Sequence, residues 1–451
     1  MNIIIVGCGK VGSTLAQQLN RENHNIVVID SNPDRVANMT DTLDAKVLLG
    51  NGVSFKMLQE AGISHADLLI AVTDSDEENL LCCCIAKKAG HCKTIARVRN
   101  PIYNDDVAFL RDELGLAQVI NPELTSANEI ARIFQFSSAV KIESFSKGLI
   151  ELIHFRVTGD CLLKDYSLMN IRSKLNMDVL IACVKRGDEV IIPRGDFVFR
   201  EGDVAGVMAR PQIATEFFSK IGIPTGRIRT AMIVGGGKIS YYLAQRLLLG
   251  GIDTKIIEQN VARCHELSEL LPKATVICGD GTDEKLLMQE GLENVDGFAA
   301  LTGLDEENIL LSLLAKRQSK AKVVTKINRI NFNSVLGDIQ IDTMTFPRLL
   351  TADVIVRYAR SMDAASDNVE NLYRIEDGKA EALEFLISEE NRVTNIPLAQ
   401  LKLRKNLLIC SINRKGRVFL PTGSDSLTVG DHCIVVTTNR GMKDIQDILQ
   451  G

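Results

Sequence analysis

Short apolar runs recur along the first hundred residues at intervals of about twenty: IIIVG, NIVVID, AKVLLG, DLLIAVT and KTIARV. Each is continuously apolar rather than alternating, which is the pattern of strands buried on both faces. Between them, STLAQQLNRE, DRVANMTDTL, SFKMLQEAG and ENLLCCCIAKKAG carry apolar residues at helical spacing. Strand and helix alternating in this way predict a doubly wound parallel sheet, because a right-handed crossover must return over the sheet. SANEIARIFQF predicts one more helix after the fifth strand. The pattern then changes. LIELIHFRV, VLIACVKR, EVIIP and VAGVMA read as strands, with one short helix near SLMNIRSKL, and together they predict a small α+β module.

Both patterns return. Gly7, Gly9 and Asp30 match Gly235, Gly237 and Glu258 at an offset of 228 residues. At an offset of 229, Gly50, Gly52, Gly62, Asp67 and Thr73 match Gly279, Gly281, Gly291, Asp296 and Thr302. The string DEEN stands at 76–79 and again at 305–308, and TADVIVRYARS repeats the bridging helix. In the smaller module Pro193, Gly195 and Gly202-Asp203 return as Pro421, Gly423 and Gly430-Asp431. The expected fold class is therefore α/β: two Rossmann-like doubly wound domains, each followed by a small α+β domain. The expected domains are 1–136, 137–222, 228–361 and 362–451, with KIGIPTGRIRT, containing Pro224 and Gly226, as the linker between halves.

A chain of 451 residues has material for three or four cores. Its net charge of -5, with no run rich in Lys or Arg, argues against nucleic acid as a partner. The start lacks the basic flank and cleavage site of a signal peptide, and no stretch approaches the ~20 apolar residues that cross a bilayer. A cytoplasmic protein with at most peripheral membrane association is expected. Eleven cysteines without a CxxC pair read as reduced, buried thiols used as small hydrophobes, and the six histidines stand apart in the sequence.

The glycines carry the candidate chemistry. Gly7 permits a tight strand-to-helix turn, Gly9 lets backbone approach a pyrophosphate, and Gly12 lets the helix pack close to the strand. Phosphates would then meet the positive helix end and its unpaired N–H groups. Asp30, at the end of the second strand, is placed to accept hydrogen bonds from ribose hydroxyls and would repel a 2′-phosphate, favouring NAD or an adenosine nucleotide over NADP. Gly50, Asn51 and Gly52 would edge an adenine pocket, Thr73 and Asp74 would lie beside the pyrophosphate, and Arg97 would reach phosphate. In the second copy Ser240 stands where the first has Gly12, Gly303 replaces Asp74, and Lys326 replaces Arg97. Loss of one negative charge there suits a more anionic ligand such as ATP or ADP, or none. An NAD-dependent oxidoreductase is the alternative reading, and it needs an acid/base group opposite the nicotinamide. The candidates are His154 in a strand and Lys185 in a turn. Neither has a counterpart in the other copy, and catalysis is not expected.

The glycine fingerprint, the acidic residue after strand two, the GNG and GDG turns, AVTDSDEEN, IARVRNP and the appended IIP…G…GD module together resemble the tandem RCK (also called KTN) family, the regulatory subunits of Trk-type potassium uptake systems. The likeness covers essentially the whole chain, and the large-small-large-small order is its most specific part. It implies regulation rather than catalysis. The expected assembly is a homo-oligomeric ring, usually a tetramer, beneath a membrane-embedded potassium transporter subunit, gated by NAD(H) or ATP/ADP. Carried over by position, the phosphate contacts are Gly7, Cys8, Gly9, Lys10 and Val11, the ribose contact is Asp30, and Asn51, Gly52, Thr73, Asp74 and Arg97 add further contacts. The corresponding second set is Gly235, Gly236, Gly237, Lys238, Ile239, Glu258, Asp280, Gly281, Thr302 and Lys326. The resemblance also raises cyclic di-AMP as a ligand of a small domain.

Overall fold

Continuous apolar character places the first five strands inside a parallel sheet. In the computed structural model, which describes residues 1–450 except 44, 105, 136–138, 147–148, 176, 224–227, 329–342 and 364–368, they are β1 (Asn2–Val6), β2 (Asn25–Asp30), β3 (Lys46–Leu49), β4 (Leu68–Ala71) and β5 (Lys93–Arg97). Pro224 and Gly226 of the expected linker lie outside the described residues. A sixth strand, β6 (Gln118–Ile120), completes the order β3-β2-β1-β4-β5-β6. Three residues are too few to show a periodicity, so sequence reading passes over it.

The small module adds β7 (Ala139–Phe145), β8 (Ile150–Arg156), β9 (Leu180–Arg186), β10 (Glu189–Ile191) and β11 (Val204–Ala209), an antiparallel sheet in the order β10-β9-β11-β8-β7. Of these, β7 was not among the expected strands. The second copy repeats both patterns. Its larger sheet contains β12 (Thr230–Val234), β13 (Asp253–Glu258), β14 (Thr275–Cys278), β15 (Gly297–Ala300), β16 (Lys322–Lys326) and β17 (Thr343–Thr345), in the order β14-β13-β12-β15-β16-β17. Its smaller sheet contains β18 (Val369–Ile375), β19 (Ala380–Leu386), β20 (Leu407–Arg414), β21 (Arg417–Phe419) and β22 (His432–Thr437). Their order, β18-β19-β22-β20-β21, is that of the first small module read from the other edge.

Like packs with like. The chain forms two compact units, one from residues 1–131 with 229–359 and the other from 132–228 with 360–451. In the first unit the two parallel-sheet modules meet at Tyr242, which is 1% exposed. Its hydroxyl accepts from Asn121 Nδ2 at 3.0 Å and donates to the Arg99 carbonyl at 3.2 Å.

In the second unit each small sheet has two apolar faces. One face of the first sheet packs on the helix Pro211–Lys220, where Phe155 meets Phe217 and Phe218 edge-on. Its other face, with Phe145, Ile150, Leu152 and Cys183, lies against Ile375, Ala380, Ala382 and Val436 of the second sheet. Burial on both faces explains why β8 reads IELIHF with no polar alternation.

The repeated Gly-Asp pair does more than turn the chain. Gly202 and Gly430 have φ of +91° and +88°, as a tight turn requires. Asp203 receives Arg186 through two hydrogen bonds of 2.8 and 2.7 Å, and Asp431 receives Arg414 at the same two distances. Burial pushes both carboxyls up, but the guanidinium and a backbone N–H outweigh it and hold them below the usual range. Their contribution to stability is present above the unfolded value near 3.9 and disappears as pH falls through the lower folded value. Asp431→Asn should cost about 2 kcal/mol near neutral pH, less than a fully buried pair because the arginine is partly exposed. Denaturant titration at pH 7 and pH 3 checks this, with the deficit shrinking at the lower pH.

Candidate functional site

At the carboxyl end of β1 the chain must leave the sheet and enter a helix within three residues. Gly7 makes the turn with φ +103°, and a Cβ there would stand 2.9 Å from the Val72 and Thr73 backbone. A Cβ on Gly12 would stand 1.8 Å from the Gly7 carbonyl oxygen. Gly9 differs: its only near neighbour is the tip of Arg35, at 3.7 Å, so the space above it is open. The helix Lys10–Asn20 begins there with no side-chain cap and no acidic residue in its first turn. The second loop repeats the design, with Gly235 at φ +99° and nothing within 4 Å of a Cβ on Gly237. Ser240, in the position of Gly12, is completely buried and its hydroxyl has no hydrogen-bond partner.

The acidic residues that end β2 and β13 hold these loops. Asp30 Oδ2 accepts from the Cys8 N–H at 2.5 Å and Oδ1 from Asn32 N–H at 2.8 Å. Glu258 accepts from Gly236 N–H at 2.6 Å and from Asn260 N–H at 2.7 Å. Each carboxylate has about four lone-pair positions, so a ribose hydroxyl remains compatible with both bonds. The side chains of Val11 and Ile239 are buried, leaving only their backbone to face a ligand, whereas Lys10 and Lys238 are exposed.

Around the first loop the charges interlock. Arg35 lies 3.8 Å from Asp30 and 3.5 Å from Asp74, and Arg97, itself buried, lies 3.7 Å from Asp74. In the second copy Arg263 donates from Nε to the Gly236 carbonyl at 2.7 Å, and Lys326 donates to the Leu301 carbonyl at 3.1 Å. Burial pulls the Lys326 ammonium below its ordinary range, Lys10 acts in the same direction, and Asp305 and Glu123 oppose them. Arg35 and Arg263 were not among the expected site residues. Their signal in the sequence is that they match at the same offset of 228 as the glycines.

The repeated DEEN string has a structural role that its letters do not announce. Asn79 is fully buried; its Oδ1 accepts from the Thr73 N–H and hydroxyl, both at 2.8 Å, and its Nδ2 donates to the carbonyls of Thr73 and Arg97. Asn308 makes the same four bonds to Thr302 and Lys326. The asparagine thus ties the end of β4 to the end of β5, and so fixes Thr73 and Arg97 relative to each other.

Other expected positions have local explanations. A Cβ on Gly52 would meet Val6 at 2.1 Å and one on Gly281 would meet Val234 at 2.3 Å, so packing against the central strand requires both glycines. Asn51 and Asp280 are exposed and turn back on their own loops, accepting from Val53 N–H at 2.9 Å and Thr282 N–H at 2.9 Å. A depression of about 760 Å³ lies at the opposite edge of the sheet, lined by Asn2, His24 and Lys46. Parallel sheets bind ligands at the carboxyl edge, where the glycine loops stand.

His154 and Lys185 correct the sequence reading. Lys185 lies in β9 rather than in a turn, and the two side chains converge on Glu376. The histidine is not isolated. No reading of the first small module alone reveals this, since Glu376 belongs to the second. Among the described cysteines Cys278 is exposed and Cys84 half-buried, while the other nine are buried and all are unbridged.

The TrkA-N domain model matches residues 3–122 and 231–347, spanning both glycine loops, and the TrkA-C domain model matches residues 382–450. A relative from Methanosarcina mazei, a Trk system potassium uptake protein TrkA homolog 1, is 32% identical across 99% of each chain. The chain belongs to the TrkA family. A Trk system potassium uptake protein TrkA from Halomonas elongata is 31% identical over 100% of this chain and 99% of its own. Among solved structures, a GsuK channel shares the fold with a TM-score of 0.67 at 19% identity, over 97% of this chain and 76% of the other. A GsuK channel bound to NAD gives 0.66 at 18% identity with the same coverage. Among the described residues of this TrkA-family chain, no helix is long and apolar enough to cross a membrane.

Gly12→Ala should lower stability by more than about 2 kcal/mol, since backbone must move to admit the methyl group. Gly9→Ala should leave the melting temperature nearly unchanged. Thermal unfolding of the two variants beside the parent chain checks the pair.

Proposed function

We propose that this chain is a nucleotide-sensing regulatory subunit that gates a Trk-type membrane potassium transporter, rather than an enzyme. The observation that carries this reading is the duplicated, open-topped glycine loop. Each has an uncapped helix N-terminus and a carboxylate at the end of the neighbouring strand, and neither is accompanied by duplicated acid/base chemistry. The names of the relatives, Trk system potassium uptake proteins, support the potassium side. Related folds solved with NAD and with ADP support NAD(H) or ATP/ADP as ligands.

The contacts proposed are backbone N–H groups at residues 7–11 and 235–239 for phosphate, and Asp30 and Glu258 for ribose. Thr73, Asp74 and Arg97 flank the first site, and Thr302 and Lys326 the second. The four domains are proposed at 1–136, 137–222, 228–361 and 362–451. The assembly proposed is a homo-oligomeric ring on the cytoplasmic face of the membrane.

A ligand shifts such a gate only by its differential affinity for two states, typically about 1–3 kcal/mol per site. Driving a gate from 1:99 to 99:1 needs about 5.5 kcal/mol, a total that several sites in one ring reach together. Duplication within an oligomerising chain supplies those sites.

Asp30→Ala is an imperfect test, because Asp30 also orders the loop through Cys8. Gly9→Ala is cleaner: the fold tolerates it while the methyl group fills the phosphate approach. Saturating NADH or ADP at ~100 times its dissociation constant should add about 2.7 kcal/mol to the stability of the parent chain. Gly9→Ala should lose most of the gain contributed by the first site. Potassium flux through the co-reconstituted transporter, measured with and without nucleotide, decides the regulatory claim. Absence of any nucleotide effect on flux overturns it.

A further inference from the structure

Register in the first small sheet puts Cys183, Gly206 and His154 in one row across β9, β11 and β8. Side chains in such a row share a face of the sheet. A Cβ on Gly206 would stand 2.7 Å from Cys183 Sγ and 3.4 Å from the His154 ring, so the glycine keeps the space between thiol and imidazole clear. Glu376, from the second small module, enters there. One donor atom from each of His154, Cys183 and Glu376 lies within 4.8 Å of the others.

The histidine is set up from behind. Its ring is 2% exposed, and Nε2 lies 2.9 Å from Glu143 Oε2. Nδ1 stands 2.6 Å from Glu376 Oε1 but is not aligned for a hydrogen bond with it. A carboxylate behind one ring nitrogen fixes the tautomer that turns the other nitrogen's lone pair outward.

The repeat provides an internal control. The matching row in the second module is Ser411, Ile434 and Glu384, and Ser146 takes the place of Glu376. There Ser146 and Asn371 donate to Glu384 at 3.0 and 2.9 Å, and the possible ligands grouped with Glu384 are Glu370 and His432, with no thiol among them. Ser146 and Glu376 share the left-handed backbone, with φ of +47° and +49°, so that conformation belongs to the hairpin and not to the carboxylate. Thiol, imidazole and the side-chain-free strand position occur together at only one of the two equivalent places.

We propose that His154 Nδ1, Cys183 Sγ and the Glu376 carboxylate form a binding site for a borderline divalent transition-metal ion of the zinc type, joining the two small modules, with Glu143 as a positioning residue. A nitrogen, a thiolate and one carboxylate suit zinc and not the all-oxygen shells of calcium or magnesium. Zinc–ligand bonds of about 2.0–2.3 Å place tetrahedral ligand atoms roughly 3.3–3.8 Å apart, so Glu376 must withdraw from the imidazole by about an ångström, a side-chain rotation. Water fills the fourth position.

Charge balances in the exchange. Without the ion, Glu143 and Glu376 overcome burial and raise the His154 pKa to about 9, while burial, with Glu376 and Glu143, pushes the Cys183 thiol up. Binding releases the Nδ1 proton and the thiol proton, and the ion's two charges replace them. Lys141, at 2.8 Å from Glu143, and Lys185, at 3.9 Å from Glu376, keep their places; Cys410 is the remaining ionisable group near the thiol.

The test uses the full chain, stripped with a chelator and titrated with Co2+ and then Zn2+. The expected result is one saturable site per chain with a sulfur-to-cobalt charge-transfer band in the near ultraviolet, bleached by Zn2+. The band should vanish in Cys183→Ser, and Glu143→Gln should weaken binding by about 10–100-fold. Glu376→Gln, which keeps the side chain's size, should weaken it at least as much, and with its fold verified by thermal unfolding it decides the matter if Cys183→Ser does not fold. A band that survives in Cys183→Ser, no saturable binding, or unchanged affinity in Glu376→Gln overturns the proposal.

Discussion

Each small sheet is apolar on both faces, and its own module covers only one of them. Phe145, Ile150 and Leu152 on one sheet need Ile375, Ala380 and Ala382 on the other, and this shared face organises the second unit. A face of that kind left in water would cost roughly 25 cal/mol for each square ångström. Duplication therefore has a packing consequence that is independent of any ligand: every module buries surface against its repeat. The chain runs large-small-large-small, but it folds as large with large and small with small.

In the first unit the same economy brings two glycine loops into one body. Their support is backbone chemistry. Asp30 and Glu258 hold the loops through N–H groups, and Asn79 and Asn308 bind together the strand ends that flank them. Because these bonds are buried or part-buried, they hold the rim of the site in place. Open space is left where Gly9 and Gly237 lack a side chain, and at Gly303 in the second copy.

The copies have diverged where their neighbours allow it. Where the first copy has Asp74 the second has Gly303, and Arg263 there bonds the loop carbonyl and pairs with Glu266 at 2.7 Å. Ser240 stands at the position where a Cβ on Gly12 would meet the Gly7 carbonyl, and it is fully buried there. In the small modules divergence went further. Gly206 in place of the isoleucine found in the repeat opened a pocket between histidine and cysteine that a glutamate from the other copy now enters.

Sequence alone determined the parallel sheets, the repeat and the glycine loops, because these depend on local periodicity and on residues close in the chain. Apolar runs about twenty residues apart and glycines at fixed spacing survive without knowledge of contacts. The strands β6 and β7 escaped, one for want of length and the other because its alternation is weak. Arg35, Asn79 and the Gly-Asp turns were visible as repeated letters, but their bonds were not, since each depends on a partner that folding brings near. Tertiary structure alone decided that His154 faces Glu376. The two are separated by more than two hundred residues, and only the burial of one sheet face against its repeat places them side by side.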